Sequence, residues 1–262
     1  MKLALHGATG RMGLSIARLS HALGDVELVG AVCAPLDPAE GRDLGELAGI
    51  GPLGVLASAD THSALLGAEV VIDFSIASAL PSLLALATRQ KVAIVSGTTN
   101  LDDAGRQALH KAAESVPVLW AANMSLGIQV LAEAVQFALR RLGPGFDVEI
   151  VEAHHRRKVD SPSGTAVRLA DAVKQVRQDS RFLHGREGEV GKRTDEEVAI
   201  LAIRGGDVIG DHTVHLLGQG ERLELTHRAS NRDLFAHGAL VAARFVRQQP
   251  PGLYTIADVL SA

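Results

Sequence analysis

The chain has one cysteine, Cys33, among 262 residues, so it can form no intramolecular disulfide and suits a reducing compartment. Aromatic residues make up only 3% of it. The core must therefore be built from Ala, Val, Leu and Ile, a composition that suits helices packed on a parallel sheet. No apolar run is long enough to cross a bilayer. No secretory signal precedes the first strand-like residues, and the expected compartment is the cytoplasm. A net charge of −4 argues against general nucleic-acid binding. Internal repeats and low-complexity segments are also missing. What remains is an ordinary soluble composition, 47% hydrophobic and 21% charged, long enough for one large domain or two modest ones.

Chemistry-bearing residues crowd into one stretch, Glu152 to Ala166, EAHHRRKVDSPSGTA. It follows the strand-like DVEIVEA and precedes VRLADAVKQV, whose apolar residues recur at helical spacing. His154, His155, Lys158 and Asp160 thus fall on a strand-to-helix connection, with Ser163-Gly164-Thr165 opening the helix. Unpaired N–H groups at a helix start bind carboxylate or phosphate, and a histidine and a lysine nearby can move a proton. Two other readings stand beside this one. The basic residues could form a solvated loop with an ordinary capped turn. A metal could use His154, His155 and Asp160, although adjacent strand histidines point to opposite faces and no third histidine is near.

The first residues, KLALHGATGRMGLSIARLSHAL, read as a strand, then Gly7, Gly10 and Gly13 in a G-x-x-G-x-x-G turn, then a helix with Met12, Ile16, Leu19 and Leu23 on one face. These are the parts of a dinucleotide-binding βα unit. The second strand, Val26 to Cys33, ends without the acid that binds the ribose of NAD, reading Cys33-Ala34-Pro35; Asp37 and Arg42 come later. Lacking that acid, the chain is expected to use NADPH at least as well as NADH. Residues 35–60 read as a loop with one short helix, LGELA. Strands at VVIDFS, KVAIVS and PVLWAA follow, separated by helices, one of them with Leu101, Ala104, Ala108 and Ala112 on a face. The turns Gly97-Thr98-Thr99-Asn100 and Ala121-Ala122-Asn123-Met124 lie at strand ends, where such sheets bind ligands. A long helix spans Ser125 to Leu142. Residues 179–196 are charged and glycine-bearing and read as an exposed loop. EVAILAIR, DHTVHLLG and ERLELTHRAS join DVEIVEA in a mixed or antiparallel sheet, before a final helix and a short tail, LYTIADVL. The expected fold is α/β: a Rossmann-like domain at 1–123 and 235–262, and an inserted α+β domain with an open mixed sheet at 124–234.

The run from Glu152 to Ala166 matches the signature E-x-H-H-x-x-K-x-D-x-P-S-G-T-A, and GATGRMG, GTT, AANMS, GDVIGDHT and ERLELTHRAS accompany it in order. On these motifs the chain resembles the 4-hydroxy-tetrahydrodipicolinate (dihydrodipicolinate) reductase family of the lysine and diaminopimelate pathway. The resemblance implies an NADPH- or NADH-dependent reductase and a homotetramer, acting on a small dicarboxylate. It implies cofactor contacts at Gly7, Ala8, Thr9, Gly10, Arg11 and Met12, at Gly97, Thr98 and Thr99, and at Ala121, Ala122, Asn123 and Met124. It assigns His154 as general acid/base, Lys158 as proton donor, and His155, Gly164 and Thr165 to substrate, with no metal. Two other classes remain open from the residues: an amino-acid dehydrogenase of the aspartate or homoserine type, which would not need the His-His-x-x-Lys run, and a non-catalytic dinucleotide-sensing module, which would not need His154 and Lys158.

Overall fold

A computed structural model describes residues 1–262. In chain order the elements are β1 (Lys2–His6), α1 (Arg11–Leu23), β2 (Glu27–Val32), α2 (Leu44–Ala48), β3 (Ala57–Ser58), α3 (Thr61–Ala64), β4 (Val70–Asp73), α4 (Leu80–Gln90), β5 (Ala93–Ser96), α5 (Asp103–Ala113) and β6 (Pro117–Trp120). Then come α6 (Leu126–Leu142), β7 (Asp147–His154), α7 (Gly164–Val176), β8 (Arg181–Leu183), β9 (Glu197–Arg204), β10 (Asp211–Gly218) and β11 (Glu221–Arg228), followed by α8 (Asp233–Val246), β12 (Gly252–Tyr254) and α9 (Ile256–Leu260). Contacts divide the chain into two units, Met1–Met124 with Asp233–Ala262, and Ser125–Arg232. None of the helices is long and apolar enough to cross a membrane.

The first unit is built on a seven-stranded, all-parallel sheet in the order β12-β6-β5-β4-β1-β2-β3. Without β12 this is the doubly wound order 3-2-1-4-5-6 of dinucleotide-binding folds. Its central strands are continuous apolar runs because both faces are covered. Ala4, Val71, Ile94 and Val118 pack on one face with Leu83, Leu84 and Ala87 of α4 and Leu109 and Ala112 of α5. On α5 the buried side is Gly105, Leu109, Ala112 and Ala113, continued by Leu101 just before the helix, while Ala104 is exposed. Alanines are too small to choose a face, and Leu109 decides it. On α1 the buried stripe is likewise set by Gly13, Ile16, Ala17 and Ser20, and Leu23 is 46% exposed. Small residues let α1 lie close to its neighbours.

Two stretches read as irregular are in fact structured. Residues 35–60 hold the expected short helix LGELA as α2, capped by Asp43, but also β3, which pairs with β2. The tail LYTIADVL supplies the edge strand β12, paired with β6, and the helix α9, opened by a capping box of Thr255 and Asp258. Both strands are three residues or fewer, too short for a period to show.

The second unit is a mixed sheet in the order β11-β10-β7-β9-β8, with α6 and α7 on one face. The alternation in β7 buries Val148, Ile150, Glu152 and His154 against that face. The stretch 179–196, expected as an exposed loop, contributes β8, parallel to β9. Its arginines are not free either. Arg186 pairs with Glu149 and Glu197, and Arg193 with Asp147 and Glu149. Those acids sit on other strands, so local composition could not reveal them.

Close approach makes Gly30 of β2 a test of this packing. An added Cβ there would lie 1.8 Å from the carbonyl oxygen of Ala64 in α3, whereas one at Gly145 would meet nothing within 4 Å. Gly30→Ala is expected to cost about 1–3 kcal/mol through overpacking, with Gly145→Ala within about 0.5 kcal/mol of wild type. Urea unfolding of the two variants checks this; equal stabilities would contradict the packing.

Candidate active site

All strands of the first sheet are parallel, so their carboxyl ends share one edge. Gly7 follows β1 with φ 76, and a Cβ there would lie 2.5 Å from the carbonyl oxygen of Phe74. Only glycine fits this turn. The Ala8 N–H donates to Val32 at 2.8 Å, drawing the turn against β2. Gly10 caps α1 without a side chain, and the N–H groups of Arg11 and Met12 have no acceptor within the chain. Such a turn is a site for a diphosphate. A Cβ on Gly97 would strike the ring of Phe74 at 2.2 Å, so the ring lies against the loop after β5 only because glycine stands there. Asn100 closes that loop in the left-handed region with φ 59, which asparagine tolerates better than most residues.

Beneath these turns lies a group without an assigned role, the carboxylate of Asp73, which is fully buried. It accepts hydrogen bonds from His6 Nδ1 at 2.7 Å, Ser75 Oγ at 2.6 Å, Ser96 Oγ at 2.7 Å and Thr98 Oγ1 at 2.7 Å. Burial alone would raise its pKa; His6 and the hydroxyls outweigh that and hold it below the usual range. Thr98 is thereby anchored, and its carbonyl accepts Trp120 Nε1–H at 2.9 Å. Ala121 donates to Ser96 at 3.1 Å, and Met124 is buried. The segments 7–12, 97–99 and 121–124 therefore share the carboxyl edge.

In the second unit, His154 ends β7 with its Nδ1 2.5 Å from Glu152. Glu152 is fully buried and ionised: burial pushes its pKa up, but Arg204, His154 and the Ser163 N–H together bring it below the ordinary value. The guanidinium of Arg204 reaches both its oxygens at 2.8 Å, a paired arrangement. Since the carboxylate can only accept, Nδ1 carries the histidine proton and Nε2 presents a lone pair. Burial lowers the His154 pKa; Glu152 opposes this, and Lys158 and Arg204 reinforce it, so the ring is neutral near pH 7. Lys158 Nζ pairs with Asp160 at 2.9 Å. His155 diverges from its neighbour and meets Arg232 at 3.1 Å. Ser163 caps α7, its Oγ accepting from Ala166 N–H at 3.2 Å, and leaves Gly164 and Thr165 in the first turn.

His212 was not anticipated. On β10 it stands opposite Glu152, 3% exposed, its ring edge-on to His154 with centroids 5.1 Å apart. Its Nε2 lies 3.1 Å from Ser163 Oγ. Alternation in DHTVHLLG puts His212 on the face of Val214 and Leu216, but only strand register brings it beside Glu152. Burial first, and then repulsion from His154 where that ring is itself protonated, lowers its pKa to about 4. The unfolded chain thus binds a proton at this histidine below about pH 6.5, and the folded chain does not until about pH 4. Stability from His212 is full above that window and falls as pH drops through it, by about 2 kcal/mol between pH 7 and 5. Urea unfolding should show a smaller loss over this range for His212→Asn than for wild type. Equal losses would rule out this coupling.

Family models for the N-terminus and C-terminus of dihydrodipicolinate reductase match residues 1–124 and 127–260. The chain is 46% identical over 259 residues to the 4-hydroxy-tetrahydrodipicolinate reductase of Methanopyrus kandleri, covering 97% of this chain and 94% of that one. Against the reductase of the same name from Magnetococcus marinus it is 44% identical over 263 residues, covering 99% and 98%. A solved structure of a dipicolinate-bound dihydrodipicolinate reductase from Paenisporosarcina sp. TG-14 superposes with a TM-score of 0.78 at 24% identity, over 97% of each chain. An amine dehydrogenase from Mycobacterium smegmatis shares only the fold, with a TM-score of 0.65 at 13% identity, over 98% of this chain and 95% of that one. By the two family models, which together span nearly its whole length, and by the full-length relatives, the chain belongs to the dihydrodipicolinate reductase family.

Proposed function

We propose that this protein reduces 4-hydroxy-2,3,4,5-tetrahydrodipicolinate to tetrahydrodipicolinate with NADH or NADPH, in lysine biosynthesis through diaminopimelate. The observation that carries the reading is the constellation from β7 to the start of α7: a histidine oriented by a buried carboxylate, a lysine close enough for its charge to act on that histidine, and a helix start carrying Gly164 and Thr165. An aspartate- or homoserine-type dehydrogenase has only the shared fold in its favour, and a sensing module leaves His154 and Lys158 without a task.

In this reading Gly7, Ala8, Thr9, Gly10, Arg11 and Met12 hold the cofactor diphosphate, and Gly97 to Thr99 with Ala121 to Met124 line the nicotinamide side. The bound cofactor supplies a hydride. Loss of the 4-hydroxyl and reduction of the ring leave a proton to be delivered on the ring-nitrogen side. His154 is neutral, with its one N–H committed to Glu152, so its Nε2 accepts and orients. That leaves the Lys158 ammonium to donate, and to attract a substrate carboxylate. The N–H groups of Gly164 and Thr165 receive a carboxylate at the start of α7, where the helix dipole favours negative charge. His155 adds a further polar contact to the substrate.

Two outcomes check these assignments. His154→Ala and Lys158→Ala should each lower turnover by roughly 10²–10⁴-fold, the range for a positioned proton-transfer group. Affinity for the cofactor should barely change, and a coupled assay following absorbance at 340 nm with a parallel binding titration separates the two. Near-normal turnover in both variants would remove the site.

The same reading carries a homotetramer, joined through the second unit's sheet. Its face away from α6 and α7 exposes Leu201 by 37% and Ile203 by 56%, apolar groups that a partner copy would cover. Light scattering should give a mass of four chains; a stable, active monomer would refute it. The buried, unpaired Cys33 suits the reducing cytoplasm inferred for the enzyme.

A further inference from the structure

In dinucleotide-binding βαβ units, an acid after the second strand accepts hydrogen bonds from the ribose hydroxyls and repels a 2′-phosphate. Directly after β2 this chain has Cys33 and Ala34, which can do neither. The turn that follows changes the outcome. Leu36 adopts φ 63, and the Asp37 N–H closes the reversal on the Ala34 carbonyl at 3.1 Å. The chain doubles back, and the carboxylate of Asp37 returns to the glycine turn.

There Thr9 Oγ1 donates to Asp37 Oδ2 at 2.6 Å, and the Ala39 N–H donates to Oδ1 at 2.8 Å. Thr9 lies between Gly7 and Gly10, inside the diphosphate-binding turn, and its neighbour Ala8 is bonded to the end of β2. Asp37 is therefore one hydrogen bond away from the dinucleotide turn. Each carboxylate oxygen has two lone-pair directions, and these two contacts leave roughly two of the four directions open. No lysine or arginine forms an ion pair with Asp37. The hydrogen bonds from Thr9 and Ala39 lower its pKa, so it carries a full negative charge at neutral pH.

We propose that Asp37 is the ribose-facing carboxylate of this protein and that it biases the enzyme toward NADH over NADPH. The proposal rests on the reductase reading and reverses the preference expected from Cys33 and Ala34. The carboxylate that the usual position lacks comes from a later residue, carried back by a left-handed turn. With a diphosphate on the glycine turn, its charge would face the ribose position where the two cofactors differ, a hydroxyl in one and a phosphate in the other. If Asp37 were only a staple for the Thr9 turn, its loss would weaken both cofactors alike.

The test reads binding, independently of turnover. Fluorescence titration of the purified protein with NADH and NADPH should give the lower Kd for NADH, and competition should favour 5′-AMP over 2′,5′-ADP. Asp37→Asn retains an oxygen that can accept from Thr9 and removes the charge. It should lower the ratio of the NADPH Kd to the NADH Kd by about tenfold, the scale of one screened charge–charge contact. Asp37→Ala should move the ratio the same way. A wild type that prefers NADPH, or variants in which both constants move by one factor, would overturn the assignment and leave the reductase reading standing. A folded wild type that binds neither dinucleotide would overturn that reading and the proposal with it.

Discussion

A buried carboxylate must be ionised against its own desolvation, and at Glu152 that requirement organises the second unit's site. Three groups meet it: the Arg204 guanidinium from β9, the imidazole of His154 two residues along the same strand, and the N–H of Ser163 at the start of α7. Removing one partner from such a group typically costs about 3–5 kcal/mol, because the charge stays buried. The arrangement is therefore held as a whole. The same contacts that stabilise Glu152 select the tautomer of His154 and pin the start of α7. His212 adds a second link to Ser163 from β10. Stability and chemistry are thus served by the same hydrogen bonds.

The first unit repeats the device with Asp73. Its donors come from the ends of β1 and β5 and from the loop after β5, so one buried anion ties together turns that are far apart in sequence. The glycines at 7 and 97 act differently. They remove Cβ atoms that would strike the backbone or ring of Phe74. One feature brings the turns together and the other lets them approach.

Much of this was legible from the residues. The strand, glycine turn and helix at the start, the parallel β/α alternation and the sheet built from DVEIVEA, EVAILAIR, DHTVHLLG and ERLELTHRAS all show in the apolar periods, because burial of one or both faces imposes them. Helix faces were less secure. The stripe of α1 is mostly glycine, alanine and serine around Ile16, and that of α5 is glycine and alanine around Leu109; small residues carry little hydrophobic signal. The strands β3, β8 and β12 escaped because two or three residues cannot display a period of two.

Local chemistry on contiguous residues is what the sequence by itself determined. Asp160 beside Lys158, Ser163 capping α7 and the glycine turn before α1 all follow from neighbours along the chain. Tertiary structure alone decided which distant groups complete them. Strand register set His212 opposite Glu152 and Arg204 opposite His154. A single left-handed residue, Leu36, sent Asp37 back to Thr9. Periodicity states which face a side chain occupies, but the identity of its neighbour depends on register and on turns. A one-residue change in either would exchange every partner.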